Sequence, residues 1–164
     1  MQAEVFPDGR ITLRNQIFRA ALGRGGIKVH KQEGDEATPA GVLPLRRVLY
    51  RADRQTRPDC AVRIEPLAPN EVWCDDPGHR DYNKMVRAPH EGRHEELWRT
   101  DDLYDIVGVL GWNDQPVVKG QGSAIFLHVA RRDLAPTEGC IALALPELRR
   151  LLAMGVTGFL VHPV

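Results

Sequence analysis

The sequence lacks net charge, long apolar runs and a large number of cysteines. Its 22 Lys and Arg residues balance 22 Asp and Glu residues. Because a dedicated nucleic-acid binder is normally basic, we expect no nucleic-acid partner. No apolar run is long enough for a transmembrane helix, so we expect no membrane span. The three cysteines are an odd number, which leaves at least one thiol free. A Cys60–Cys74 disulfide stays possible, because pairing cannot be deduced from sequence alone.

The composition that is present is typical of a globular protein. Hydrophobic residues make up 43% of the chain and charged residues 27%, which argues against long disorder, collagen and coiled coil. The 164 residues correspond to about one domain, and we assign all of 1–164 to it. A monomer is the default expectation. The segment from Met1 to Gly9 has acidic side chains and no apolar stretch, so no signal peptide is visible.

Short β-prone runs separated by turn residues dominate the chain. Ala3–Phe6 and Ile11–Leu13 flank Asp8-Gly9, which is typical of a hairpin turn. Pro146–Met154 has helical spacing of leucines and Gly155 as a stop, and His94–Arg99 is a second helix candidate. The other predicted strands are Ile17–Leu22, Val42–Tyr50, Leu103–Leu110, Ala124–Ala130 and Thr157–His162. The sequence therefore predicts a mostly β fold with one or two short helices.

A cysteine and a histidine in the C-terminal half form a candidate catalytic pair. His128 lies in an apolar strand, and Gly139-Cys140 lies between a turn and the next apolar run. A thiol nucleophile needs a neighbouring base, because few thiols are ionised at neutral pH. A glycine before the cysteine leaves room for a carbonyl carbon and leaves backbone N–H groups to face an oxyanion. On spacing alone, a core cysteine and a core histidine explain the pattern equally well.

Two motifs resemble the L,D-transpeptidase catalytic domain family, the YkuD-type fold. Ser123-Ala-Ile-Phe-Leu-His128 followed by Thr137-Glu-Gly-Cys140-Ile is similar to the family pattern of a strand histidine and Ser/Thr-x-Gly-Cys. Upstream, Gly34-Asp-Glu-Ala-Thr38-Pro39-Ala-Gly41 is similar to the family's Gly…Thr-Pro-x-Gly element. The resemblance covers nearly the whole chain and is closest to compact, single-domain proteobacterial members. It implies a β-sandwich-like fold with a short helix beside the site.

The resemblance also implies an activity. Cys140 would attack an L,D peptide bond of a peptidoglycan stem peptide and form a thioester, with His128 as general base and then general acid. The backbone N–H groups of Gly139 and Cys140 would hold the oxyanion. An amine acceptor would give a crosslink, whereas water would make the enzyme a carboxypeptidase or endopeptidase. The family implies no metal or organic cofactor, inhibition by carbapenems at the cysteine, and a periplasmic location.

Some positions depart from the family pattern. Glu138 stands where many members have His, Val129 where many have Ser or Gly, and Ala142 where many have Arg or Asn. A backbone carbonyl at position 129 can still orient the imidazole, because it does not depend on the side chain. Glu138 and Arg131 are either a charge pattern of the site or solvated charges of a loop, and the sequence does not decide between the two. Aromatic and amide side chains predict a substrate groove, and they are Trp73, Tyr82, Asn83, Tyr104, Trp112 and Asn113. Core packing of Trp73 and Tyr104 and turn positions for the two asparagines are the alternatives.

A competing motif is His90-Glu91-Gly92-Arg93-His94, which fits His-Glu-x-x-His. On a helix, two such histidines share a face and bind zinc, with the glutamate as general base. Gly92 costs a helix about 1 kcal/mol relative to alanine, Pro89 precedes the motif, and the flanks are charged. A zinc peptidase at His90 and His94 is therefore the less favoured alternative. A catalytically inert wall-binding module is a further one.

Overall fold

The computed structural model describes all 164 residues, which form fourteen strands and one helix. The helix α1 is Leu145–Ala153. The strands are β1 (Gln2–Val5), β2 (Arg10–Leu13), β3 (Gln16–Ala21), β4 (Ile27–Lys28), β5 (Thr38–Pro39), β6 (Gly41–Tyr50), β7 (Ile64–Pro66), β8 (Glu71–Cys74), β9 (Lys84–Arg87), β10 (His94–Glu96), β11 (Ile106–Leu110), β12 (Phe126–Val129), β13 (Ile141–Leu143) and β14 (Gly158–Val161). The prediction of a mostly β fold is confirmed.

The main sheet folds over into two layers, and two of its strands, β3 and β6, belong to both layers. The strand order is β11-β12-β13-β3-β2-β1-β14-β6-β7, and β11 also pairs with β6. Residues 41–44 of β6 pair with β14, whereas residues 45–50 pair with β11. Residues 16–19 of β3 pair with β2, and residues 20–21 pair with β13. Both strands thus pass from one layer to the other, so the sheet has no open edge between β11 and β6.

The main core lies between the two layers and under the helix. It contains 23 buried hydrophobic residues, and Leu148, Leu151 and Leu152 of α1 are among them. These leucines lie on one face of the helix, because residues three and four apart are neighbours on a helix surface. The helix ends before Gly155, which has φ +90° and is compatible with a left-handed stop. The predicted helix at Pro146–Met154 is confirmed with a shift of one residue.

A smaller core lies on the opposite face of β6, β11 and β12. The three-stranded sheet β10-β8-β9 covers this face, and the cluster has ten buried hydrophobic residues. Trp73 of β8 packs edge-on against Phe126 of β12, with ring centroids 5.0 Å apart. Cys140 belongs to this second core. Strand β12 is therefore covered on both faces, as its uninterrupted apolar sequence predicts.

The predicted second helix over His94–Arg99 is wrong. His94, Glu95 and Glu96 form β10 and pair with Cys74, Trp73 and Val72 of β8. The long irregular stretch 75–102 therefore contains β9 and β10. Short strands of charged residues carry little apolar alternation, and this explains why sequence patterns do not reveal them. All three cysteines are free, and no helix is long and apolar enough to cross a membrane.

Candidate active site

Parallel pairing of β12 and β13 brings His128 and Cys140 to one face of the sheet. Leu127 pairs with Ile141 and His128 pairs with Ala142. Because side chains alternate across a strand, His128 lies on the same face as Phe126, and Cys140 lies on the same face as Ala142. Leu127 and Ile141 point into the main core, whereas Phe126 and Cys140 belong to the second core. The two candidate catalytic residues thus face the same cleft from adjacent strands.

The packing around residue 139, directly before Cys140, requires a glycine. Its φ is +133°, and a Cβ at this position would lie 2.8 Å from the carbonyl oxygen of Ala37. Thr38, the next residue, accepts a buried hydrogen bond from the Gly23 N–H at 2.9 Å, and Gly23 forms a β-bridge with Thr137. Ala37 thus packs directly against Gly139, and Thr38 contacts the same segment through Gly23. The Thr-Pro element therefore supports the Gly-Cys element through backbone contacts.

The His128 imidazole is held in one tautomer by a backbone carbonyl. Its Nδ1 lies 2.8 Å from the carbonyl oxygen of Val129, and a carbonyl can only accept, so Nδ1 carries the proton. The other nitrogen, Nε2, is then an acceptor. Burial lowers the pKa of His128 to about 4, so the ring is neutral at pH 7. The hydrogen bond expected between the carbonyl at position 129 and the His128 imidazole is therefore present.

The Cys140 thiol is buried beside two backbone groups. Its Sγ accepts a hydrogen bond from the Phe126 N–H at 3.3 Å and donates one to the Ala124 carbonyl, also at 3.3 Å. Burial raises the pKa of Cys140 to about 12. The resting pair is consequently a neutral thiol and a neutral imidazole rather than an ion pair.

The two amides predicted to hold an oxyanion differ in their hydrogen bonds. The Gly139 N–H donates to Thr137 Oγ1 at 3.1 Å, and the Thr137 hydroxyl donates to the Cys140 carbonyl at 2.7 Å. No turn or loop hydrogen bond between backbone groups engages the Cys140 N–H. Cys140 thus offers the more available donor, whereas Gly139 must first release Thr137.

The cleft that contains the pair has a volume of about 520 Å³ and a mixed charge. Arg131 and Glu138, the two predicted charged residues, both line it and are exposed. Its other charged lining residues are Arg24, Glu33, Asp75, Glu95 and Arg99. The lining therefore offers charged groups of both signs.

Of the other predicted substrate residues, Tyr104 lines the cleft and the rest lie behind it. Asn83 Oδ1 accepts hydrogen bonds from Trp73 Nε1 at 3.0 Å and from the Ala124 N–H at 3.1 Å. Tyr82 donates to Glu33 at 2.7 Å. The Asn113 side chain donates to the carbonyls of Val118 and Gly122. These contacts support the segment next to Cys140, and a direct role in substrate binding stays a prediction.

Sequence patterns gave no catalytic or substrate role to Glu95, a buried acid that contacts Tyr104. The Tyr104 hydroxyl donates a short hydrogen bond to Glu95, and the Tyr104 ring meets His128 edge-on, with centroids 5.3 Å apart and planes at 79°. Burial raises the pKa of Glu95 to about 7. The only sequence signal for Glu95 is its place before Leu97 and Trp98. Its importance becomes visible only once β10 is paired with β8.

The His-Glu-x-x-His segment is not helical. It connects β9 to β10 as a turn, and His94 is the first residue of β10. His94 Nδ1 lies 2.8 Å from the Gly92 carbonyl oxygen, and its Nε2 lies 3.6 Å from the Glu96 carboxylate. The geometry that makes this motif a zinc-peptidase site is therefore missing.

The fold is a β-sandwich in which a cysteine and a histidine face one cleft. This arrangement is typical of enzymes that use a thiol nucleophile. The model of the L,D-transpeptidase catalytic domain family, YkuD, matches residues 2–162. The chain belongs to this family. A comparison with curated proteins gave no match. Family membership supports an L,D-transpeptidase-type enzyme with a function related to peptidoglycan.

Proposed function

We propose that this protein is a cysteine-dependent L,D-transpeptidase that forms peptidoglycan crosslinks through a thioester on Cys140. The observation that supports the proposal most directly is the His128 Nδ1 hydrogen bond to the Val129 carbonyl. It leaves the Nε2 lone pair as the base in a cleft that Cys140 also lines. A nucleophile and an oriented base at the same cleft are what covalent acyl transfer requires.

In the first half of the reaction, Cys140 attacks the carbonyl carbon of an L,D peptide bond. The thiol proton passes to His128 Nε2 as the C–S bond forms, and the Cys140 N–H stabilises the oxyanion. The C–N bond then breaks, and His128 returns the proton to the leaving amine of the D-amino acid. An imidazolium whose pKa is lowered by burial gives up this proton readily. The products are the thioester and a free D-amino acid.

In the second half, an amine of another stem peptide attacks the thioester carbonyl. His128 accepts a proton from this amine, the tetrahedral intermediate collapses, and the protonated His128 returns its proton to the Cys140 sulfur. A new peptide bond and the resting enzyme result. With water as acceptor, the same steps give a carboxypeptidase or endopeptidase, which is the second candidate function.

The proposed substrate surroundings follow from the lining of the cleft. Arg131 and Glu138 would contact charged groups of the stem peptide from the exposed rim. Carbapenems would acylate Cys140 by the same attack. Action as a monomer in the periplasm belongs to the proposal and rests on the family's substrate.

Mass spectrometry of muropeptides tests the proposal. Wild-type protein is expected to produce new crosslinked species, and Cys140→Ala is expected to lose turnover by more than about 10³-fold, because it removes the nucleophile. Cys60→Ala is the matched control, since Cys60 is a free, half-buried thiol outside the cleft. Shortened or uncrosslinked stems would establish the hydrolase instead. Residual turnover of Cys140→Ala above a few per cent would contradict the nucleophile assignment.

A further inference from the structure

A second cysteine–histidine cluster lies at one end of the three-stranded sheet. Cys74 is the last residue of β8, His79 lies in the loop from β8 to β9, and His90 lies in the turn from β9 to β10. One ligand atom from each of the three, a sulfur and two imidazole nitrogens, lies within 4.8 Å of the others. Three separate chain segments thus bring metal-binding atoms to one point.

His90 contributes a buried nitrogen that has no partner. Its Nε2 is inaccessible to solvent and makes no hydrogen bond. A buried polar atom without a partner costs free energy, which normally selects against such an arrangement. Gly92 closes the space beside it, since a Cβ there would lie 3.0 Å from His90 Nε2 and 3.1 Å from His79 Cδ2. A metal ion is a natural partner for this nitrogen.

His79 already has the outer contacts that orient a metal-binding imidazole. Its Nε2 lies 2.7 Å from the Glu91 carboxylate, and its Nδ1 accepts the Asp81 N–H at 3.0 Å. The Asp81 carboxylate lies 3.7 Å from Nδ1. Ligation costs His79 one of the two hydrogen bonds. Because Nδ1 accepts an N–H, Nε2 carries the proton and donates to Glu91. Metal binding at Nδ1 would displace the Asp81 N–H and keep this carboxylate contact, which is typical of metal-binding histidines.

The surroundings of Cys74 are acidic. The side chains of Asp75, Asp76 and Asp81 lie near the Cys74 thiol, which receives a hydrogen bond from the Asp76 backbone N–H. Arg93 is the counter-charge, and it pairs with Asp75 at 3.2 Å. A divalent cation at the cluster would reduce the repulsion between these carboxylates and a thiolate.

We propose that Cys74, His79 and His90 bind one Zn²⁺ ion, with a fourth position for water or a carboxylate. Thiolate and imidazole are the ligands that zinc prefers. Tetrahedral zinc bonds place ligand atoms roughly 3.3–3.8 Å apart, so a small closure of the cluster suffices. The site differs from a His90–His94 zinc peptidase, because the His94 nitrogens face Gly92 and Glu96. The ion would hold together three chain segments at one end of the sheet β10-β8-β9. Asp75 and Glu95, which line the cleft, belong to the same region.

Metal titration of the purified full chain tests this proposal and needs no activity assay. After treatment with a chelator, the protein is expected to bind one equivalent of Zn²⁺. It is also expected to give a sulfur-to-cobalt charge-transfer band with Co²⁺. Cys74→Ser is expected to lose the band, and His79→Ala and His90→Ala to weaken Zn²⁺ binding by more than the roughly 10–100-fold that loss of an outer partner costs. Zn²⁺ is expected to raise the melting temperature of wild type but not that of Cys74→Ser.

Controls separate this site from the other thiols and from misfolding. Cys140→Ala, Cys60→Ser and His162→Ala are expected to keep the band and the stoichiometry. Circular dichroism verifies the fold of each variant, and His90→Ala, in a turn, serves if Cys74→Ser does not fold. Absence of Zn²⁺ binding by wild type overturns the proposal. Retention of the band by Cys74→Ser, or its loss from Cys140→Ala, does so as well, because the metal would then lie elsewhere.

Discussion

The two buried cysteines differ in how imidazoles surround them. Cys140 has one histidine on the adjacent strand, and its sulfur meets the backbone of Phe126 and Ala124 at a cleft. Cys74 has two histidines whose ligand atoms converge on it from neighbouring loops. One imidazole that accepts a proton suits a nucleophile, whereas two that converge suit a metal ion. Burial alone therefore does not define the role of a thiol in this protein.

The carboxyl groups near the two thiols differ as well. Burial and the nearby Glu95 both raise the pKa of Cys140. Burial also raises the pKa of Glu95, to about 7, so Glu95 is protonated below that pH. Asp76, near Cys74, has its pKa lowered by the backbone N–H groups of Gly78 and Arg93. The carboxyl group near Cys140 therefore changes its charge near neutral pH, whereas the Asp76 carboxylate stays ionised there.

The largest expected effect comes from His128→Gln, which removes the single imidazole beside Cys140. Glutamine can keep a hydrogen bond to the Val129 carbonyl but cannot accept the thiol proton. Loss of general acid–base catalysis is expected to lower turnover by roughly 10²–10⁴-fold. Alkylation of Cys140 near pH 7 is expected to slow, whereas that of Cys60 stays unchanged. Peptide mapping of the alkylated protein measures both rates in one sample. Alkylation of Cys140 at the wild-type rate would show that His128 is not its base.

The contrast between the two thiols also shows what the sequence can predict. The positions of His128 and Cys140 were predictable, because His128 lies in an apolar run and Cys140 directly precedes another, and those runs form β12 and β13. Their catalytic roles come from the family resemblance and stay a prediction. The Cys74 cluster was not, because its ligands come from charged loops whose folding depends on the pairing of β8, β9 and β10. The His-Glu-x-x-His pattern paired His90 with His94, and their ring centroids lie 5.7 Å apart. It assumed a helix, whereas the turn places His90 against His79, with ring centroids 4.5 Å apart. Buried Glu95 was missed for the same reason.

The backbone next to each thiol gives the second comparison. Cys74 lies in a regular strand and pairs with Lys84 and His94, whereas Cys140 follows Gly139 at φ +133°. Gly139→Ala is expected to cost about 1–3 kcal/mol from strain and more from the contact with Ala37. The melting temperature then falls by about 2–4 °C per kcal/mol, and activity falls with it. Gly41→Ala is the control, since Gly41 has φ +107° and no atom within 4 Å of the Cβ position. Equal losses in both variants would mean that the contact with Ala37 does not matter.

The smallest expected effect concerns the pH dependence of stability near Cys140. The pKa of Glu95 is about 7 in the folded protein against a usual value of 4.5. The folded state therefore holds more protons than the unfolded state between these values, and this residue's contribution to stability falls as pH rises through that window. His128 acts in the opposite direction, because its pKa is about 4 when folded against 6.5. The difference in melting temperature between wild type and Glu95→Gln, measured from pH 4 to 8, isolates Glu95. Glutamine cannot ionise, so we expect the variant to gain stability relative to wild type as the pH rises, and a constant difference would contradict the raised pKa.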